Sequence, residues 1–500
     1  MNEKNISVIT RRDFLRRAAC AAVGTAAMTS AIRDLRFMNA AVAQSNISDY
    51  KALVCIFLAG GNDSNNLIIP TDPSLYANYA AIRTANLALP NVDGTGATVQ
   101  QLIKPGGGIY TDAANRAFGL HPVATGLATL FNEGKLAALF NAGTLVYPMT
   151  RAQYQAGILQ KPPQLFSHAD QVTQWQTSIP DQAPVTGWGG RCADLLNAAN
   201  GSNSVSLSVS IAGANTFEIG NIVSQYAVST SGAISLAGVS GARLAALTNI
   251  LGLPYPNMQA SAYAGVANHS IATGGLLNSA IASTSATNFW TIPFPTIITT
   301  PNTSPATTFT SSLSAQLKMV ARLIEAGNRA SASGGFGMKR QIFFCQVGGY
   351  DLHSGQTNYS TNSPNNVIIG AHANLLTELS QSLLAFQRGM EQLGLSQNVT
   401  AFTSSDFGRT FPSNGLGSDH GWGSHHLICG GAVKGGKTYG TFPTLAVNGP
   451  DDTNTGRWIP TTAIDQYFAT LATWFGVDSS NLATVFPNIG RFSTPNLGFI

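Results

Sequence analysis

Charge is what this chain has least of. Only 10% of its 500 residues are Asp, Glu, Lys or Arg, against about a quarter in an ordinary globular domain, while 44% are hydrophobic. That balance excludes a disordered tail, which needs the reverse. A basic face is missing as well. Residues 1–43 hold seven of the 27 basic residues (Lys4, Arg11, Arg12, Arg16, Arg17, Arg33, Arg36) and three of the 23 acidic ones (Glu3, Asp13, Asp34), which leaves 20 of each and a neutral body. A neutral body excludes a nucleic-acid binder, whose affinity comes from cations set against phosphates. Cysteine is scarce too: Cys55, Cys192, Cys345 and Cys429 follow residue 43, and there is no CxxC. They read as small buried apolar residues rather than a zinc ribbon or disulfide framework, with one bridge left open for an oxidising compartment. No stretch after the N-terminal segment has the 18 or more apolar residues of a membrane span.

What is present begins with an address. Thr10-Arg11-Arg12-Asp13-Phe14-Leu15 precedes an alanine-rich apolar run from about Ala18, and Ala41-Val42-Ala43 has the small-x-small form of a cleavage site. The pattern is that of a twin-arginine signal peptide over residues 1–43, with an amphipathic N-terminal helix as the plainer alternative. It implies the twin-arginine translocase as a partner and a periplasmic or secreted mature protein, 44–500. Because that pathway carries folded proteins, it also hints at a cofactor or metal loaded before export.

Ala52-Leu53-Val54-Cys55-Ile56-Phe57-Leu58 is uninterrupted apolar sequence ending in Gly60-Gly61, as expected for a strand buried on both faces. Similar runs occur at 136–140, 341–345, 399–403 and 427–430. Helical patterns fall between and after them, at 123–132, 186–198, 312–326, 366–393 and 462–474. The alternation predicts an α/β fold with a mostly parallel central sheet and helices on both faces. From about 200 to 311 the composition turns to Ser, Thr, Ala, Asn and Gly with almost no charge. This reads as an insert, either a polar excursion or, less plainly, a glycan-adhesive surface.

Ligands in such sheets sit beyond the carboxyl ends of the strands. The residues there are Asp63 after the first run, Asp351 and His353 after the third, and Asp406 and Arg409 after the fourth. Asp419 and His420 follow shortly, and Ser167-His168 joins the same set. Five of the eight histidines (His168, His353, His420, His425, His426) lie in or beside these segments. Carboxylates with imidazoles suit zinc, manganese or calcium better than a sulfur site does, so a divalent metal ion is the expected cofactor. Asp351 and His353 point the same way on extended backbone. Each piece has a plainer reading: Asp63 as a turn aspartate, Asp419-His420 as a capped loop, and adjacent His425 and His426 as unable to face one site together.

Taken in order, Gly60-Gly61-Asn62-Asp63-Ser64-Asn65-Asn66, Ser167-His168-Ala169-Asp170-Gln171, Thr186-Gly187-Trp188-Gly189-Gly190-Arg191, Asp351-Leu352-His353, Ser405-Asp406-Phe407-Gly408-Arg409 and Asp419-His420-Gly421 resemble the bacterial family called domain of unknown function 1501. That family is grouped with the alkaline phosphatase and sulfatase superfamily. The resemblance implies an alkaline phosphatase-like three-layer α/β/α sandwich with metal ligands at the carboxyl edge. By position it implies Asp63, Asp351, His353, Asp406 and His420 as metal residues; Asp419 joins them from the strand-end set, Ser167 is the nucleophile candidate beside them, and the planar fork of Arg409 suits a phosphate or sulfate oxygen. Ser167 also reads as a helix N-cap and Arg409 as the salt-bridge partner of an aspartate. Phe407 stands where the superfamily's Asp-His pair has its histidine, and Ser64 where the family's glycine is usual. No cysteine has the CxPxR context of formylglycine sulfatases. The implied function is a metal-dependent hydrolase of phosphate or sulfate esters, on a small-molecule or glycan ester, and the alternative is a non-catalytic binding or structural protein on the same scaffold.

Overall fold

The computed structural model describes residues 47–90, 99–233, 236, 238–282, 284, 293–300 and 308–500. The expected signal peptide lies outside them. Among the described residues the main sheet has ten strands: β1 (Lys51–Leu58), β2 (Leu136–Gly143), β3 (Ser208–Ser210), β4 (Tyr226–Ser229), β5 (Gly232–Ala233), β6 (Arg340–Val347), β7 (Val399–Ser405), β8 (Ser424–Cys429), β9 (Lys437–Tyr439) and β10 (Thr462–Ala463). Their spatial order is β9-β2-β8-β7-β1-β6-β3-β4-β5, with β10 also on β2. β1 pairs in parallel with β6 and β7, and β6 with β3. The strand from the last apolar run, β8, is antiparallel to both its neighbours, because β7 reaches it through a loop that doubles back rather than through a crossover helix.

The apolar run of β1 behaves as a doubly buried strand should. Ala52, Val54, Ile56 and Leu58 face one core and Leu53, Cys55 and Phe57 the other. The first core is completed by α2 (Thr125–Asn132), α7 (Ser312–Asn328) and α8 (Ala371–Gln392), following α1 (Pro73–Leu87) along the chain. The second is completed by residues of α3 (His168–Thr177), α4 (Trp188–Leu196) and α9 (Ile464–Phe475). The result is a mixed α/β fold with a mostly parallel sheet and helices on both sides. Burying one aliphatic side chain of β1 contributes roughly 1.5–3 kcal/mol, so this central strand anchors everything at its carboxyl end. Cys55, Cys192, Cys345 and Cys429 are buried and free. Among the described residues no helix is long and apolar enough to cross a membrane.

The low-charge stretch at 200–311 is not detached from the sheet, since β3, β4 and β5 extend its edge. Beyond them stand α5 (Ala242–Leu251) and α6 (Met258–Ala282), and a short antiparallel pair, Ile297–Thr299 with Thr308–Thr310. Ile250, Leu253, Met258, Tyr263 and Val266 are exposed here, and a cavity of about 630 Å³ is lined by Leu236, Leu244, Leu247, Leu251 and Ile271. The surface is therefore aliphatic where composition suggested hydroxyls.

Candidate metal centre at the carboxyl edge of the sheet

Four segments converge beyond β1, β6 and β7. The chain leaves β1 through Gly60 and Gly61, both at positive φ (118° and 84°). A Cβ on Gly60 would lie 2.3 Å from the Asp351 nitrogen, and one on Gly61 would lie 2.5 Å from the Phe407 ring, so only glycine lets the three strand ends approach this closely. After β7 the chain folds back on itself: Thr410 N–H donates to Asp419 O (2.8 Å) and Gly421 N–H to Gly408 O (2.7 Å). That return brings His420 beside Arg409. The fourth contributor is the start of α3, where Gln164 and Phe166 take positive φ values of 50° and 73°, an uncommon conformation for non-glycine residues, and deliver His168.

Each of three imidazoles is held at Nδ1 by a hydrogen-bond acceptor. His168 Nδ1 is 2.6 Å from Asp406 Oδ2, His353 Nδ1 is 2.8 Å from Asp419 Oδ1, and His420 Nδ1 is 2.7 Å from the Phe166 carbonyl. A carbonyl or carboxylate can only accept, so these partners place the proton on Nδ1 and leave Nε2 with a bare lone pair. The Nε2 atoms of His168 and His353 both turn toward that of His420. His168 and His420 are 3.1 Å apart there, and His353 and His420 2.9 Å. The Asp351 carboxylate closes the group at 3.5 Å from His168, 3.2 Å from His353 and 3.4 Å from His420. His168, Asp351 and His420 offer ligand atoms that all lie within 4.8 Å of one another.

His168 Nε2, His420 Nε2 and the Asp351 carboxylate, three acceptors facing one point, repel unless a cation lies between them, and the spacing says which size. Ligands about 2.0–2.1 Å from an ion, at angles between a right angle and the tetrahedral value, sit roughly 2.8–3.4 Å apart. Calcium, at about 2.3–2.6 Å and with a demand for oxygen, would need a wider and harder set. The residues fit a small first-row divalent ion.

Charge around the cluster is tuned for the same end. Partial burial pushes the Asp351 carboxyl up, but the Arg409 hydrogen bond and charge, with His168 and His353, outweigh it and hold it below the usual carboxylate range. Burial raises Asp419 similarly, and Asn414 and His353 bring it down. Burial lowers His420, more than the Phe166 carbonyl raises it. Phe407, fully buried, lies beneath with ring centroids 4.7 Å from His168 and 4.6 Å from His420, an apolar floor where the superfamily pattern implies a further histidine.

Of the residues singled out in the sequence, Asp351, His353 and His420 are in the cluster. Asp406 and Asp419 stand one bond behind it, on the far nitrogens of His168 and His353. Arg409 is 1% exposed: its Nη1 donates to Asp351 (2.8 Å) and to Gly60 O (3.1 Å), and its Nη2 to Ser418 O. Asp63 is 2% exposed and engages Arg83, Gln356 and, at 3.3 Å, Asn65. The Ser167 hydroxyl donates to Asp170 at 2.6 Å. Ser64, in the position of the usual glycine, accepts from His425 N–H at 2.8 Å. His425 and His426 are core residues on opposite sides of β8, and burial takes both to a pKa of about 3.

His168 is the residue that sequence reasoning undervalued, because it entered only as the neighbour of Ser167. The signal was there in the dipeptide: at a helix start next to other histidine segments, imidazole is the stronger ligand of the two side chains.

A family model described as "Protein of unknown function (DUF1501)" matches residues 50–483. No curated protein matches the chain. Among solved structures, "Crystal structure of Ps i-CgsB in complex with k-i-k-neocarrahexaose" aligns over 90% of this chain and 78% of that one, at 9% identity and a TM-score of 0.32.

Proposed function

The chain belongs to the DUF1501 family, and on that premise we propose that it is an exported, single-metal hydrolase of phosphate or sulfate esters on an alkaline phosphatase-like scaffold. One observation carries the reading: His168 and His420, each fixed at Nδ1, set their Nε2 atoms and the Asp351 carboxylate within 4.8 Å of one another. Such acceptor-backed histidines are how proteins orient metal ligands. His168, His420 and Asp351 would hold the ion, with His353 Nε2 2.9 Å from that of His420 at its edge, and two imidazoles with a carboxylate favour zinc or manganese over calcium. Asp406, Asp419 and the Phe166 carbonyl fix the imidazoles, and Arg409 fixes Asp351. Asp63, with its charge met by Arg83, is structural.

When bound, the ion supplies Lewis-acid polarisation of an ester oxygen and a lowered pKa for a coordinated water. The chain's own residues do the remainder. Asp351 is 46% exposed at the side chain and His353 45%, so the centre opens outward and a substrate reaches it without a change of fold. Phe407 closes the inner side and excludes water there. With the Ser167 hydroxyl engaged by Asp170, water rather than serine is the attacking group. A small-molecule or glycan ester fits an open site of this kind. Export by the twin-arginine translocase to the periplasm or beyond rests on the leader at 1–43.

A second reading draws on Phe407 and on the engaged Ser167, namely a metal-holding but non-catalytic secreted protein. Metal content by elemental mass spectrometry, on mature protein purified without chelator, tests the first step. We expect about one equivalent of a divalent ion, lost in His420→Ala, together with hydrolysis of p-nitrophenyl phosphate or sulfate that disappears with it. A well-folded protein that neither carries metal nor takes it up on reconstitution would overturn the proposal, and metal without turnover would favour the second reading.

A further inference from the structure

Three arginines stand near the centre, and they differ in what remains free. Arg83 and Arg409 are fully buried, and their Nη groups are taken up by Asp63, Asp351 and backbone carbonyls. Arg457 is half-buried and has one side committed: Nε donates to the His420 carbonyl at 2.8 Å, and the guanidinium carbon lies 4.2 Å from the centroid of the Phe166 ring. Phe166 is the residue whose own carbonyl fixes His420 Nδ1 at 2.7 Å. Arg457 is thus locked to His420 and to the residue that orients it.

Its outer edge is not used. No carboxylate among the described residues lies within ion-pair distance of it. Asp452, the nearest acid in sequence, spends Oδ1 on the backbone N–H groups of Asn454, Gly456 and Arg457, and Oδ2 on that of Asn448. An arginine stacked on an aromatic ring, with Nε tied down and both Nη groups open, presents its fork at a fixed angle at no further cost in side-chain entropy. That fork matches two oxygens of a tetrahedral oxyanion. In a chain whose body has no net charge, an uncompensated cation joined to a ligand's own main chain calls for an anionic partner.

We propose that Arg457 is the oxyanion-binding residue of this site and grips the phosphate or sulfate group of the substrate beside the histidine cluster. The inference rests on the reading of the cluster as an ester-hydrolase centre and specifies its substrate class: an ester that keeps two non-bridging oxygens sharing negative charge, a phosphate mono- or diester or a sulfate monoester, rather than a neutral ester. It moves the role that the sequence pattern gave to Arg409 onto a residue 48 positions later.

The test is isothermal titration of the mature protein with inorganic phosphate and, separately, inorganic sulfate. Metal content is measured on every sample, and Arg457→Gln and Arg457→Lys are run beside the unaltered chain. Saturable binding of at least one anion is expected, weakened 10–100-fold in Arg457→Gln and less in Arg457→Lys, which keeps the charge but loses the fork, with metal content unchanged in both. Which anion binds more tightly separates a phosphate from a sulfate site. Equal affinity in Arg457→Gln would overturn the assignment. So would loss of metal in parallel with loss of the anion, since Arg457 would then be only a clip for His420. Unaltered protein that carries metal but binds neither anion overturns this inference and leaves the metal centre standing. Anion binding that depends on Arg457 in a protein that takes up no metal does the opposite.

Discussion

Two aspartates at the same edge of the sheet have opposite fates. Asp63, at the end of β1, is 2% exposed and answered by Arg83; burial pushes its carboxyl up, but the charges of Arg83 and His372 hold it down. Asp351, beyond β6, is 46% exposed at the side chain and shares its carboxylate between Arg409 and three imidazoles. The first carboxylate is compensated by the chain itself and has nothing left for a ligand. The second is only partly compensated, and the surrounding lone pairs add to its appetite for a cation. Position at a strand end selects candidates, and the balance of neighbouring charge decides among them.

Breaking the compensation at Asp63 should have the largest consequence. Arg83→Met leaves a buried carboxylate without its partner and is expected to cost about 3–5 kcal/mol, read as a lower urea midpoint. Arg83→Met combined with Asp63→Asn should recover much of that loss. If the single variant is as stable as the parent, the buried pair is not what holds this edge.

Asp465 extends the comparison to a buried aspartate whose compensation, from Ser178 and the charge of Arg191, falls short of the cost of burial. Neither oxygen makes a hydrogen bond of normal geometry, and burial raises the carboxyl to about 7. An unfolded aspartate titrates near 3.9, so between about pH 4 and 7 the folded chain holds a proton that the unfolded one has lost. The stability from this group is complete below about pH 4 and falls by about 1.4 kcal/mol per pH unit as pH rises toward 7. Asp465→Asn should remove that slope from urea midpoints measured between pH 5 and 7. Glu218, taken by burial to about 8, adds a decline of its own, while His372, His425 and His426, taken by burial to about 4, 3 and 3, add stability as pH rises toward 6.5, so the difference in slope between variant and parent carries the test. An unchanged slope in the variant would show that Asp465 is ionised in the native protein.

Asp406 sharpens the other side. Asp406→Asn keeps shape at the His168 Nδ1 contact but removes the charge behind it, and losses of this type are about 10–100-fold in metal affinity. Competition with a chromogenic chelator measures it, and an unaltered affinity would mean that His168 is not a ligand. The smallest effect is expected from Ser167→Ala. Its hydroxyl serves Asp170, so hydrolysis of p-nitrophenyl phosphate should change by less than about twofold, within the range of a lost surface-type hydrogen bond. Loss of turnover there would restore Ser167 as nucleophile.

Much of the architecture was legible. The runs at 52–58, 341–345 and 399–403 became the three adjacent central strands because uninterrupted apolar sequence has only a doubly covered sheet position to go to. The helical patterns at 312–326 and 366–393 became α7 and α8. The direction of β8 was not legible, since a six-residue strand reads the same both ways and only the returning loop sets its sense. The insert's first strands were hidden as well, because Ser208–Ser210 has no apolar run to announce it.

For the site, sequence alone determined the inventory: acids and histidines placed after strands, two glycines where the strand ends must touch, and the ordered segments that mark the family. These follow from local rules of periodicity, turn chemistry and spacing. The tertiary structure decided how those residues divide their work. Arg83 reaches Asp63 from a helix 20 residues on, His168 meets His420 across 252 positions, and Phe166 gives its carbonyl to the same ring across 254. Compensation of charge and the choice of tautomer depend on which groups lie within a few ångströms, and that distance is set by packing rather than by order along the chain.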